Sequence, residues 1–70
     1  MDDPRLYMRI HAALSRRIAD GTYPPGTRLN IGALADEWGT ARDTVAHAVR
    51  LLEADGKVER FAGLGWFVTG

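Results

Sequence analysis

The sequence contains no cysteine among its 70 residues. Disulfide bonds, thiolate zinc sites and thiol nucleophiles are therefore excluded, and the composition suits a reducing compartment. No apolar run approaches the roughly 18 residues that a membrane-spanning helix requires. The acidic start, residues 1–4, lacks the cationic beginning and apolar core of a signal peptide. These absences predict a soluble, cytoplasmic protein with no membrane partner.

The chain also lacks net charge, because nine lysines and arginines balance nine aspartates and glutamates. Domains that bind nucleic acid are often basic, so this balance argues against such a role unless the positive side chains share one face. A chain of this length forms one domain, placed at 1–70, with little room for an enclosed substrate cleft. No nucleophile triad, P-loop or dinucleotide motif is present. The sequence therefore favours a binding module over an enzyme.

Three segments carry apolar residues at helical spacing. The second is predicted over residues 31–38, where Asn30 is a favourable N-cap, and the third over residues 42–55, where Gly56 can end the helix. The apolar stripes are Leu6, Ile10, Leu14 and Ile18 in the first helix, Ile31, Leu34, Ala35 and Trp38 in the second, and Val45, Ala48, Val49 and Leu52 in the third.

After the third helix the periodicity changes. Residues 57–61 alternate polar and apolar side chains, and residues 66–69 are aromatic or β-branched, so both segments are predicted strands. The glycine-containing turn at 62–65 joins them into a hairpin. Only residues 39–41 separate the second and third helices, a spacing typical of a helix-turn-helix. We therefore predict a mainly α fold with a small β hairpin (α+β), a winged helix-turn-helix of three helices followed by a two-stranded wing.

An ordered set of residues covering almost the whole chain resembles the DNA-binding half of bacterial transcription regulators of the GntR family. The matching positions are Tyr7, Ile10, Leu14 and Ile18, residues 21–30, Leu34 and Ala35, residues 39–45, residues 48–56, and Gly63, Gly65, Phe67 and Val68. The resemblance implies sequence-specific binding of double-stranded DNA, commonly by a homodimer and often for repression. It places helix 42–55 in the major groove and the wing, 58–69, at the adjacent minor groove. The effector domain of family members is not expected within this chain.

The resemblance also assigns contacts to individual residues. Arg42 matches a base-reading arginine at the start of the recognition helix, Asp43 and Thr44 match neighbouring positions that touch bases or phosphates, and Gly63 matches a glycine at the wing tip. The residue chemistry agrees for Arg42, because a guanidinium there can bond guanine O6 and N7 together. The helix N-terminus also favours a nearby phosphate. Asp43 could accept from cytosine N4 or repel phosphates.

Further candidates lie on the same helix and in the turn before it. His47 can donate to a phosphate or base edge, or simply face solvent. Arg50 can contact a phosphate or form an i,i+3 ion pair with Glu53. Ala41 stands where the family often has a capping serine or threonine, for which Thr40 can substitute. The predicted DNA contacts are therefore Thr40, Arg42, Asp43, Thr44, His47, Arg50 and Gly63; no cofactor or metal site is predicted.

A second hypothesis is a winged helix used for protein–protein contact, as an adaptor or a partner of another regulator. The neutral charge, the apolar Leu64 and Trp66, and the missing basic residue near Ala46 motivate this alternative. One of the two apolar wing residues is expected to cap the core, and the other to stay exposed.

Overall fold

A computed structural model describes residues 5–70; the acidic start, residues 1–4, lies outside the described residues. It confirms the predicted order of three helices followed by a hairpin. The elements are α1 (Leu6–Ala19), β1 (Arg28–Leu29), α2 (Ile31–Trp38), α3 (Arg42–Ala54), β2 (Val58–Phe61) and β3 (Gly65–Val68).

Local sequence sets the ends of α2 and the tight turn after it. The Asn30 side chain accepts a hydrogen bond of 3.0 Å from the Ala33 backbone N–H and so caps α2. The helix ends at Gly39, whose φ of 61° lies in the left-handed region that glycine adopts without a steric penalty. The extended backbone of Ala41 then starts α3, without a side-chain cap. These features direct α3 away from α2 within a few residues.

The wing is larger than the two-stranded hairpin that the sequence predicted. The strands form an antiparallel sheet in the order β1-β3-β2, because Arg28 pairs with Phe67 and Leu29 with Trp66. The short extended segment before α2 therefore supplies a third strand. This pairing joins the base of the wing to the start of α2.

One hydrophobic core holds the helices and sheet together, and no charged or polar residue among those described is fully buried in it. Trp66 packs against this core, whereas Leu64 remains 63% exposed, which matches the expectation that one apolar wing residue caps the core. Within residues 5–70 no helix is long and apolar enough to cross a membrane. The buried residues are Ile10, Leu14, Leu29, Leu34, Ala35, Val45, Ala48, Val49, Leu52, Val58 and Val68.

Candidate nucleic-acid interface

Arg42 is the first residue of α3, and its side chain is exposed. Its guanidinium lies against Gly32 at the start of α2, so that a Cβ built on Gly32 would be 3.1 Å from Arg42 Nη2. The absence of a side chain at Gly32 thus permits this close contact. The first turns of α2 and α3 consequently form one surface with a positive charge at its centre.

The exposed face of α3 carries several of the predicted contacts together. Asp43, His47 and Arg50 are exposed, whereas Val45 on the opposite side is fully buried. Thr44 is half-buried next to them. The fold therefore presents one row of polar side chains from α3, as the helical spacing predicted.

The neighbours of these side chains differ from the sequence expectations in two respects. The His47 ring stacks on Tyr7 of α1, with centroids 4.1 Å apart and an interplanar angle of 12°. Among the described residues, Arg50 forms no ion pair with Glu53, so that alternative is not supported. Thr40, in the turn before α3, is half-buried. The imidazole therefore has one occupied face, while Arg50 points into solvent.

The wing tip is a turn between β2 and β3. The Leu64 N–H donates to the Phe61 carbonyl at 2.9 Å, and Gly63 within this turn has a φ of 78° and is exposed. The Arg28 Nε donates to the Leu64 carbonyl at 3.0 Å, which joins β1 to the turn. The predicted glycine thus lies at the tip of a turn that is held by a side chain from outside the hairpin.

Some of the acidic side chains form ion pairs away from the exposed face of α3. Glu37 forms a two-pronged ion pair with Arg17 between α2 and α1, with one contact of 3.2 Å, and this hydrogen bonding lowers the pKa of Glu37. The Asp55 carboxylate lies 2.7 Å from His11 Nε2 and links α1 to the end of α3. Asp43 is the acidic residue in the first turn of α3. Glu37 and Asp55 are therefore paired with residues of α1, whereas Asp43 lies at the exposed start of α3.

Sequence reasoning missed two arginines that approach the wing, Arg28 on β1 and Arg60 on β2. Arg60 is exposed, with its guanidinium carbon 5.9 Å from the centre of the Trp66 ring. Their significance depends on strand pairing between distant segments, which no local pattern reports. The available signal in the sequence was an arginine in each of two short extended segments, each close to a glycine-containing turn.

Helices α2 and α3 joined by a tight turn, with the adjoining three-stranded wing, define a winged helix-turn-helix domain. A family model described as "Bacterial regulatory proteins, gntR family" matches residues 6–68. The chain belongs to this family. The resemblance inferred from the sequence is thereby confirmed.

Individual relatives agree with this assignment. The chain is 35% identical over 75 residues to an uncharacterized HTH-type transcriptional regulator, YdhC, of Bacillus subtilis, covering 99% of the chain and 34% of that protein. It is 38% identical over 65 residues to the histidine utilization repressor of Pseudomonas putida, covering 91% of the chain and 26% of the repressor. The chain thus spans about a quarter to a third of the length of these relatives.

Among solved structures, the fold matches the DNA-binding domain of AraR in complex with operator ORR3. The TM-score is 0.85 at 25% identity, and the match covers 91% of this chain and 78% of that one. The winged helix described above is therefore the fold of a domain that was solved on its operator.

Proposed function

We propose that this chain is the DNA-binding domain of a transcription regulator that recognises a specific double-stranded sequence. The observation that carries the proposal is the exposed Arg42 at the start of α3, on a surface flanked by a glycine-tipped wing. Helix α3 enters the major groove, which is wide enough for a helix and carries a distinct donor and acceptor pattern for each base pair. The wing lies at the adjacent minor groove. The operator complex of AraR, a domain of the same fold, supports DNA binding by this domain.

Each predicted contact has a chemical role in this arrangement. Arg42 bonds a guanine through O6 and N7, and the Thr44 hydroxyl contacts a base or phosphate beside it. Asp43 accepts from cytosine N4, which discriminates among bases rather than adding affinity. His47 and Arg50 contact the phosphate backbone, which fixes the register of the protein on the duplex. The hydroxyl of Thr40 and the backbone at Gly63 approach the DNA at the two ends of the interface.

The proposal extends to assembly and location. A single domain of this size reads few base pairs, so we propose that two copies occupy half-sites about one helical turn apart. Two relatives are named histidine utilization repressors, which supports repression as the mode of regulation. We place the protein in the cytoplasm and assign it no enzymatic activity.

The decisive experiment combines sequence selection with a salt titration. A random duplex pool is selected on the protein, and affinity for the selected site is then measured at several salt concentrations. The logarithm of the binding constant should fall linearly with the logarithm of salt concentration, because each neutralised phosphate releases counterions. Arg42→Ala should cost about 1–3 kcal/mol on the selected site and relax one base position. Arg16→Ala, on the exposed part of α1, is the matched control and should change neither quantity.

A second candidate function, protein–protein contact, is favoured by one observation on the outer face of the sheet. Phe61 is 46% exposed and packs edge-to-face with Phe67, with centroids 5.6 Å apart, next to the exposed Leu64. Adjacent exposed apolar side chains are typical of binding surfaces. The salt titration separates the two functions, because a protein adaptor binds no duplex even at the lowest salt concentration.

A further inference from the structure

The geometry of B-form DNA determines which part of the duplex faces the surface between α3 and the wing. Adjacent major and minor grooves are separated by one sugar–phosphate strand. If α3 occupies the major groove and the wing tip the neighbouring minor groove, this strand must cross the surface between them. The inference that follows rests on the proposed function and concerns the groups on that surface that can bind phosphates.

A groove of about 400 Å³ opens between the start of α2 and the wing. Arg28 and Arg60 both line it, and none of its described lining residues is acidic. Gly32, against which the guanidinium of Arg42 packs, lines the same groove. We call this site the arginine groove and define it by Arg28 and Arg60; Arg42 lies next to it, against Gly32. Two arginines from different strands thus line one groove, with a third beside it, in a chain without net charge.

Arg28 is held in position by the wing itself. Its Nε donates to the Leu64 carbonyl, and a Cβ built on Gly65 would lie 3.2 Å from the same nitrogen. Gly65 therefore leaves the side chain room to cross β3. Within the described residues the two terminal nitrogens of Arg28 have no hydrogen-bond partner, so they keep four N–H donors for a ligand. A guanidinium fixed at one nitrogen loses less conformational entropy when the others bind.

Arg60 reaches the groove from the other side of the sheet. The register pairs Arg60 with Trp66 and Arg28 with Phe67, and consecutive residues of β3 point to opposite faces. The Trp66 ring, 5.9 Å from the guanidinium carbon of Arg60, attracts the cation and orients it. The two arginines therefore reach the groove from opposite faces of the sheet.

We propose that the arginine groove binds phosphate groups of the DNA strand that separates the major groove from the minor groove. Arginine presents paired N–H donors that match two phosphate oxygens, and such charge-assisted bonds are stronger than neutral ones. Phosphate contacts carry no direct sequence information. Arg28 and Arg60 thus set affinity and register, while Arg42 next to them reads bases.

The test compares Arg28→Gln and Arg60→Gln with Arg42→Ala and the control Arg16→Ala on the selected site and an unrelated duplex. Each glutamine variant should lose the same factor in affinity on both duplexes, and its salt dependence should become shallower by about one phosphate contact. Arg42→Ala should lose mainly the preference for the selected site. Arg28→Lys keeps the charge but not the Leu64 contact, so it separates phosphate binding from support of the wing.

The outcomes distinguish this inference from the proposed function. Glutamine variants with unchanged affinity and salt dependence, in a protein that binds the selected duplex, overturn the arginine groove and leave DNA binding intact. A wild-type protein that binds no duplex overturns both. Binding of a free anion is tested by titrating inorganic phosphate into the wild-type protein and following the amide shifts by NMR. Saturation by phosphate together with unaltered duplex binding in the glutamine variants would assign the groove to a small anion and overturn the proposal.

Discussion

The Arg42 guanidinium packs against Gly32 more closely than it could against a residue with a side chain. Gly32 lies within α2 at a backbone conformation open to any residue, and a Cβ there would be 3.1 Å from Arg42 Nη2 and 3.4 Å from the guanidinium carbon. The group that would have to move is the far end of a flexible side chain. A substitution at Gly32 can therefore alter the interface while leaving the fold intact.

We accordingly expect Gly32→Ala to raise stability and weaken recognition at once. Alanine in a helix is favoured over glycine by about 0.5–1 kcal/mol, which thermal denaturation will detect. The new methyl group displaces the guanidinium, so affinity for the selected site and selectivity at the guanine should both fall. In an Arg42→Ala background the substitution should change stability alone, because the two effects couple only through the guanidinium. An equal loss of affinity in that background would show that position 32 acts independently of Arg42.

Most of the fold could be predicted because its elements are encoded locally. The stripe of Val45, Val49 and Leu52 is buried as its spacing required, and Asn30 caps α2 as its position indicated. The third strand was missed as a partner in the sheet, because the two residues Arg28–Leu29 are too few to show a period. Their pairing with β3 depends on how α2 packs, which only the tertiary structure reveals.

The candidate site was predictable to a smaller extent for the same reason. Arg42 stands at a helix start that the sequence marks, so its exposure followed from local pattern. Arg28 and Arg60 lie 32 positions apart, and only the strand register brings both to one groove. The Tyr7–His47 stack likewise joins helices separated by two further elements. Long-range contacts of this kind leave no periodic signal in the sequence.

The missing cap of α3 provides a second prediction. Ala41 has the extended conformation of an N-cap, with φ −72° and ψ 151°, but its methyl group cannot accept a hydrogen bond. Ala41→Ser should supply a side-chain acceptor for a backbone N–H of the first turn and stabilise the domain by about 0.5–2 kcal/mol. For a domain of this size each kcal/mol raises the melting temperature by about 4–8 °C. Ala62→Ser in the wing turn is the control, and an equal rise there would argue against capping as the cause.

The pair between Glu37 and Arg17 predicts a dependence of stability on pH. The hydrogen bond from Arg17 lowers the pKa of Glu37 from its ordinary value of 4.5. Because the unfolded chain then binds the proton more readily, the pair stabilises the protein above about pH 4.5 and loses its effect as pH falls through the lowered pKa. Glu37→Gln should therefore make the acid-side decline in stability shallower, with a loss at neutral pH of less than about 1 kcal/mol because the pair is exposed.

The comparison for Glu37→Gln is Glu53→Gln, the same chemical change on the exposed side of α3. Urea denaturation between about pH 3 and 7 measures both variants, a range that spans the ordinary carboxyl pKa. The carboxyl of Asp20, whose pKa is lowered by the Thr22 hydroxyl, remains in both variants, so some acid sensitivity should persist. A decline for Glu37→Gln as steep as that of the wild type would exclude this pair as a source of acid sensitivity.

The stack of His47 on Tyr7 allows packing and DNA contact to be separated at one position. Phenylalanine keeps a flat ring on Tyr7 but has no N–H, whereas alanine removes both the ring and the donor. His47→Phe should therefore fold with nearly wild-type stability and lose about 0.5–1.5 kcal/mol of binding, the usual net worth of one hydrogen bond. His47→Ala should show the same loss of affinity together with a destabilisation of about 0.5–1.5 kcal/mol from the lost stacking.

Thermal denaturation and affinity for the selected duplex, measured on both His47 variants, decide between the two roles. If imidazole donates to the DNA, the variants share a binding defect and differ only in stability. If the ring serves only to hold the start of α1 against α3, His47→Phe binds like the wild type. In that case His47 is not part of the interface, and the remaining predicted contacts on α3 are Arg42, Asp43, Thr44 and Arg50.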